Sequence, residues 1–275
     1  MADKDFNVRF WGVRGSIATS GPATQRAGGN TSCVEVRCGG RILLMDAGTG
    51  IREAGLALKR EGAKAVDVFL THAHWDHTIG LPFFKPLFST EMTTRISAGH
   101  VGNGMSTQAL VADLMRKPFL PVGPEVFCGN VEYRDVTPGE DIALDDIVLR
   151  TRPLLHPGGA IGYRIEHAGR SIAYVTDTEH EPGKLDSNVL DLIADCELMI
   201  YDCTYTEEEL PLYRGYGHST WKQAARLCRA AKARSFAIFH HHPSRSDHDL
   251  DAIEAQAQAD FPQAFAARDG MTLKV

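Results

Sequence analysis

The sequence is short of the features that mark membrane, secreted and nucleic-acid-coating proteins. No apolar run approaches the length that a bilayer span needs, and the opening residues MADKDFNVRF lack the apolar core of a secretion signal. Asp and Glu number 35 against 29 Lys and Arg, so the formal net charge is −6, which does not favour a non-specific polyanion binder. These absences predict a cytoplasmic protein with no membrane partner.

The spacing of the cysteines indicates neither a disulfide framework nor a metal site. The six cysteines are scattered, and no two of them form a C-x-x-C pair. Such spacing is typical of reduced thiols in a cytoplasmic protein and offers no cysteine site for a metal. The 275 residues are 43% hydrophobic and 23% charged, and no low-complexity linker divides them. We therefore predict one globular domain over residues 1–275.

What the sequence does have is a dense group of metal-capable side chains in FLTHAHWDHTIG, Phe69 to Gly80. Three histidines and an aspartate lie within six positions, directly after the apolar run Val66–Leu70, which predicts a buried strand. In an ordinary alternative, His72 caps the strand and Asp76 caps the following helix. Four such side chains would repel or desolvate one another if they were unpaired, so we favour a metal site.

Three further candidate ligands also follow apolar runs. His156 comes after Leu154-Leu155, while Asp177 and His240 each follow a predicted strand. A single histidine at a strand end is more often a hydrogen-bonded structural residue, but the shared position of the three favours one site. Two cations also need a carboxylate whose two oxygens can bridge them, and Asp177 is the best-placed candidate.

A weak internal repeat supports an architecture. SCVEVRCGGRILLMD and IGYRIEHAGRSIAYVTD both predict a hairpin with a Gly-Arg turn, and they end on Asp46 and Asp177. The last third of the chain alternates amphipathic helices with buried strands. Two β-rich halves with helices outside predict an α/β protein built as a four-layer αββα sandwich.

The order of these residues resembles that of the metallo-β-lactamase-fold superfamily of metal-dependent hydrolases, over nearly the whole chain. Within it, GYGHSTWKQAARLCRAAKARSFAIFHH is similar to the phosphodiesterase branch, which holds ribonuclease Z and cyclic-nucleotide phosphodiesterases. FWGVRGSIATSGPATQRAGGNTSCVEV resembles the opening segment of the same branch. The resemblance implies a dinuclear site whose ligands are His72, His74, Asp76, His77, His156, Asp177 and His240.

In this assignment one ion takes His72, His74 and His156, the other takes Asp76, His77 and His240, and Asp177 bridges them. The resemblance makes Asp46 a residue that steadies the ligand loop, and it leaves His241 and His242 beside the ligands or facing the substrate. The expected cofactors are two divalent ions per chain, with Zn²⁺ preferred over Mn²⁺ or Fe²⁺.

The resemblance also implies a reaction. Two ions can share a hydroxide for in-line attack on a phosphate, and His218 of Gly-His-Ser-Thr would protonate the leaving group, so Asp76 and His218 are the expected catalytic residues. His218 has an ordinary alternative, in which Ser219 or Thr220 simply starts a helix. A small phosphodiester such as a cyclic nucleotide is the favoured substrate. Thioester or lactam hydrolysis, ribonuclease Z-like RNA processing and a non-catalytic metal sensor are the alternatives.

Two regions are left open by the sequence. Residues 85–122 carry few charges and form either a lid or wall beside the site or merely part of the sandwich, with a helix predicted at Thr107–Met115. Arg14, flanked by glycine, either reaches a phosphate or is solvated on a turn. A homodimer is compatible with the sequence.

Overall fold

Two seven-stranded β-sheets lie face to face in the computed structural model, which describes residues 6–99 and 104–275. The first sheet contains β1 (Asn7–Gly12), β2 (Cys33–Cys38), β3 (Arg41–Met45), β4 (Ala65–Leu70), β5 (Thr93–Ala98), β6 (Asn130–Asp135) and β14 (Thr272–Lys274). The second contains β7 (Asp141–Leu144), β8 (Ile147–Leu154), β9 (Ala160–His167), β10 (Arg170–Val175), β11 (Leu198–Asp202), β12 (Phe236–Phe239) and β13 (Ala264–Ala266). Their orders are β14-β1-β2-β3-β4-β5-β6 and β13-β12-β11-β10-β9-β8-β7.

Helices cover the outer face of each sheet. They are α1 (Ile51–Glu61), α2 (Trp75–Thr78), α3 (Thr107–Leu114), α4 (Ser187–Ile193), α5 (Trp221–Ala231) and α6 (Asp247–Asp260). One apolar core fills the space between the sheets, a second packs α1 and α3 on the first sheet, and a third packs α4, α5 and α6 on the second. This arrangement confirms the predicted four-layer αββα sandwich.

The sequence pattern explains which strands lie where. β8 alternates buried residues such as Ile147 and Leu149 with more exposed ones such as Arg150, because only one of its faces meets the core. β10 and β11 pair in parallel at the centre of their sheet and are buried almost throughout. The Gly39-Gly40 turn has φ angles of 54° and 72°, which a hairpin of type I′ needs, and joins β2 to β3 as predicted.

The parallel strands decide where polar side chains meet. β3, β4 and β5 are parallel in the first sheet, and β10, β11 and β12 are parallel in the second. Their carboxyl ends therefore share one edge of each sheet, which is where α/β proteins place their ligands. Asp46 and Asp177, the ends of the two predicted hairpins, both lie at this edge.

Several boundaries differ from the prediction. The short strands β7, β13 and β14 were not predicted, because three or four residues give too little pattern. Helix α6 begins at Asp247, because Ser246 and Asp249 form a capping box there. All six cysteines are unpaired, as their spacing predicts. Among the described residues, no helix has the length and apolar character that a membrane crossing requires.

Candidate metal centre

The first group of side chains at the sheet edge consists of three histidines. His72 and His74 lie on the loop that follows β4, and His156 follows β8 of the other sheet. Nδ1 of His74 is 3.1 Å from Nε2 of His156, and the ring centroid of His72 lies 4.5 Å from that of His74 and 4.8 Å from that of His156. His72 and His156 are buried, whereas His74 is exposed to solvent.

The second group lies deeper and combines two histidines with a carboxylate. Asp76 and His77 belong to the same loop after β4, and His240 follows β12. Nε2 of His77 is 3.2 Å from Nε2 of His240, and Oδ2 of Asp76 is 3.3 Å and 3.1 Å from these two nitrogens. All three residues are buried.

Asp177 lies between the two groups and turns one oxygen toward each. Its Oδ2 is 3.2 Å from Nε2 of His77 and 3.4 Å from Nε2 of His240. Its Oδ1 is 3.8 Å from Nε2 of His72 and 3.9 Å from Nε2 of His156. Burial would raise the pKa of this carboxyl, but the facing imidazoles hold the pKa well below its usual value. Asp177 is therefore an anion whose two oxygens serve separate sets of ligands.

Hydrogen bonds to Nδ1 of His72 and His77 direct the other ring nitrogen, Nε2, toward the centre. Asp46 accepts from Nδ1 of His77 at 2.7 Å and from the hydroxyl of Thr71 at 3.0 Å. Since that hydroxyl gives its proton to Asp46, it accepts one from Nδ1 of His72, 3.0 Å away. In their neutral forms both histidines therefore present the lone pair of Nε2 to the centre.

The second sheet orients its histidines in the same way. The carbonyl oxygen of Gly217 accepts from Nδ1 of His156 at 3.0 Å. The hydroxyl of Thr204 lies 2.8 Å from Oδ1 of Asp202 and 2.9 Å from Nδ1 of His240. When Thr204 donates to Asp202, it accepts from His240, whose Nε2 is then free to face the centre.

The donor set fits divalent cations. Nε2 of His77 and Nε2 of His240 face each other across 3.2 Å, a separation at which one shared proton or one cation relieves the repulsion between their lone pairs. Nε2 of His72 is buried and finds no hydrogen-bond partner among the described residues. Imidazole nitrogens with carboxylate oxygens are a set that Zn²⁺, Mn²⁺ and Fe²⁺ accept.

Three residues of this centre have strained backbone angles. Asp46, Asp177 and His240 have φ angles of 63°, 57° and 58°, in the left-handed region that non-glycine residues seldom adopt. Each residue ends a strand, and the turn directs its side chain along the sheet edge. Such strain persists where surrounding contacts over-determine it, which is common at functional sites.

His218 lies at the mouth of the centre and is held by Asp202. Its Nδ1 is 2.8 Å from Oδ2 of Asp202 and 3.8 Å from Oδ1 of Asp177, and its ring stacks on His240 at 5.0 Å. Burial alone would lower its pKa, but the Asp202 carboxylate outweighs burial and raises the pKa to about 9. Ser219 and Thr220 precede helix α5, and Thr220 caps it, so the helix start positions the imidazole.

Other candidate residues lie elsewhere. His241 is 1% exposed and its Nε2 donates to the carbonyl of Ala267, so it contacts neither the ligands nor the mouth of the site. His242 is half-buried beside Tyr205, 6.0 Å away, near the mouth. Arg14 is not solvated on a turn: its side chain is fully buried and donates to the carbonyls of Gly28 and Arg245.

Sequence reasoning missed the residues that orient the ligands. Asp202 ends β11 just as Asp46 follows β3, and this strand-end position is the signal that could have identified it. Thr71 and Thr204 gave no signal, because a threonine hydroxyl becomes informative only when its partners are known.

Comparison with known proteins agrees with this geometry. A family profile described as the β-lactamase superfamily domain matches residues 41–241, from the second strand of the first hairpin to the histidines after β12. The chain belongs to this superfamily. It is a metal-dependent hydrolase with the metallo-β-lactamase fold, which confirms the family that the sequence resembles.

Members of the superfamily match this chain almost end to end. Ribonuclease Z of Halobacterium salinarum is 27% identical over 320 aligned positions, which cover 98% of this chain and 97% of that protein. Ribonuclease Z of Archaeoglobus fulgidus is 22% identical and covers 98% of both chains.

Solved structures share the fold at lower identity. The metallo-β-lactamase fold protein YhfI of Bacillus subtilis has a TM-score of 0.72 at 17% identity, with 99% of this chain and 100% of that chain covered. A diphosphatase from the PhnP family has a TM-score of 0.69 at 19% identity, with 98% and 97% covered.

Gly217 offers a test of how the centre is built. A Cβ at this position would lie 2.1 Å from Nδ1 of His156, so Gly217→Ala should displace that histidine and weaken retention of an ion. Gly215 is a matched control, since it has a similar φ of 87° and a methyl group added there would meet no atom within 4 Å. We expect Gly217→Ala to lose close to one ion per chain during dialysis against a weak chelator, measured by elemental analysis. Equal metal content in both variants would contradict the assignment of His156.

Proposed function

We propose that residues 1–275 act as one dinuclear metal-dependent phosphodiesterase whose substrate is a small phosphodiester, such as a cyclic nucleotide. The observation that carries the proposal is the position of Asp177, with one oxygen toward His72 and His156 and the other toward His77 and His240. Each group supplies three side chains besides the shared carboxylate, which suits two ions rather than one. Zn²⁺ is the favoured metal for these ligands.

Asp76 and His218 have different roles in the proposed reaction. Two bound divalent ions supply an activated water and charge stabilisation for a phosphate. Asp76 accepts a hydrogen bond from the backbone nitrogen of Ser16 at 2.6 Å, which fixes its carboxylate against His77 and His240. His218, protonated at neutral pH through its contact with Asp202, is placed to give a proton to the departing alkoxide.

Asp202 also supports the choice of a phosphodiester. An alkoxide leaving group needs a proton, whereas a thiolate leaves readily without one, so an imidazolium at the mouth has more to contribute to phosphodiester hydrolysis. Two neighbouring cations would lower the pKa of His218 from about 9, the value that its contact with Asp202 gives in their absence.

RNA processing is the second candidate, favoured by the relatives named ribonuclease Z. Their match spans 320 positions against the 275 residues of this chain, so those proteins contain segments with no counterpart here. A net charge of −6 also gives little attraction to a long polyanion. We therefore favour the small substrate over transfer RNA.

Turnover of a substrate panel tests the class of bond. With metal-reconstituted protein, we expect hydrolysis of bis-(p-nitrophenyl) phosphate and of at least one cyclic mononucleotide, cyclic dinucleotide or linear dinucleotide. A cephalosporin, lactoylglutathione and a precursor transfer RNA should remain intact. Hydrolysis of the thioester or the lactam without any diester would contradict the phosphodiesterase, and efficient cleavage of the precursor RNA would favour the second candidate.

His218→Ala tests the role of the leaving-group acid. On a nucleotide diester we expect kcat to fall by about 10²- to 10⁴-fold at similar KM, the usual loss for a general acid. The loss should be smaller on a p-nitrophenyl diester, because that leaving group departs without a proton. His248→Ala removes an exposed imidazole from helix α6 and serves as the control. Equal losses of His218→Ala on both substrates would instead indicate that His218 positions the phosphate.

A further inference from the structure

A concave apolar surface opens directly beside the metal centre. Its cavity measures about 590 Å³ and lies between the ligand loop, the turn at Leu81–Phe83, and α3 with residues 115–120. This volume falls within the range of small-molecule sites. The segment 85–122 does both things that the sequence left open: β5 is a strand of the first sheet, and side chains between Met105 and Leu120 form a wall of this cavity. Residues 100–103 lie outside the described residues.

The cavity gathers large apolar side chains that water reaches freely. Trp75 is 72% exposed, Phe119 67%, Phe83 55% and Ile79 45%, and all four line the cavity. Such a cluster is costly to leave in contact with water and is typical of a binding surface. The three aromatic rings offer faces and edges on which another ring can pack.

The cavity and the metal centre share one loop. Ala73 and Trp75 line the cavity, and they alternate with His72, His74 and Asp76 along the chain. His74, which lies between Ala73 and Trp75 in the sequence, is the exposed residue of its group. The centre is therefore open to solvent at His74. The cavity wall and the candidate ligands thus belong to the same stretch of chain, next to the exposed His74.

The polar groups of the cavity are few. Asp113 and Arg116 are its two charged lining residues, and the guanidinium of Arg116 lies 5.5 Å from the ring centre of Phe119. An anionic occupant would meet only one cation beside a carboxylate, whereas a neutral ring would meet apolar surface on several sides. The phosphate itself is thus better held at the metal centre, with an uncharged group in the cavity.

We propose that this cavity binds an aromatic ester group of the substrate while the phosphate lies at the metal centre. This inference rests on the proposed phosphodiesterase activity and makes Phe83 and Phe119 specificity-determining residues. Both phenylalanines lie outside the ligand loop, which allows them to be changed without altering it.

The test uses two diesters that share a leaving group. p-Nitrophenyl phenyl phosphate and p-nitrophenyl methyl phosphate release the same phenolate, so the ratio of their kcat/KM values reports contacts made by the second ester group. We expect the wild-type protein to prefer the phenyl diester, and Phe119→Ala to reduce that preference by about tenfold, the range for losing apolar pocket contacts. Phe88→Ala is the matched control, because Phe88 is 37% exposed but packs on Phe127 outside the cavity.

Binding is measured in parallel by calorimetry with diphenyl phosphate and dimethyl phosphate, and the oligomeric state of each variant by light scattering. Tighter binding of diphenyl phosphate to the wild type than to Phe119→Ala would support the cavity even if neither nitrophenyl diester were hydrolysed. That combined result would overturn only the proposed activity. An unchanged phenyl preference and unchanged binding in Phe119→Ala would overturn the inference, as would a change confined to the oligomeric state, which would make this surface a contact between copies of the chain.

Discussion

The contacts of Asp177 join the two halves of the molecule. Each ligand group combines residues from the loop after β4 in the first sheet with one histidine from the second sheet, His156 or His240. Asp177, at the end of β10, faces both groups from the second sheet. The site therefore exists only when the sheets are packed in the correct relative position. Bound cations would in turn stabilise that packing, since they bind the folded arrangement alone.

The residues that hydrogen-bond to the histidines are arranged similarly in the two sheets. Asp46 in the first sheet holds His77 directly and His72 through Thr71. Asp202 in the second sheet holds His218 directly and approaches His240 through the hydroxyl of Thr204. An aspartate and a threonine thus orient two imidazoles in each half. The two halves differ in one respect. His218, which Asp202 contacts directly, transfers a proton in the proposed mechanism, whereas His77, which Asp46 contacts directly, is a proposed metal ligand.

Much of the fold, and the meeting of the candidate ligands at one edge of the two sheets, could be predicted from the sequence for one physical reason. Each ligand follows a buried apolar run, and the carboxyl ends of parallel strands must meet. What depends on contacts between distant segments could not be predicted. The hydrogen bond from Thr204, the inward burial of Arg14 and the cavity beside Trp75 all require knowing which loops pack together. His241 was misplaced because adjacent residues at a strand end point in different directions, and sequence order does not decide which one faces the site.

The division of the Asp177 carboxylate between two ions is tested most directly by anomalous diffraction from crystals of the metal-loaded protein. We expect two anomalous peaks per chain, roughly 3.5–4 Å apart. One should lie among His72, His74 and His156 with Oδ1 of Asp177, and the other among Asp76, His77 and His240 with Oδ2. A single peak at full metal loading, or two peaks with both Asp177 oxygens bound to the same ion, would contradict the account.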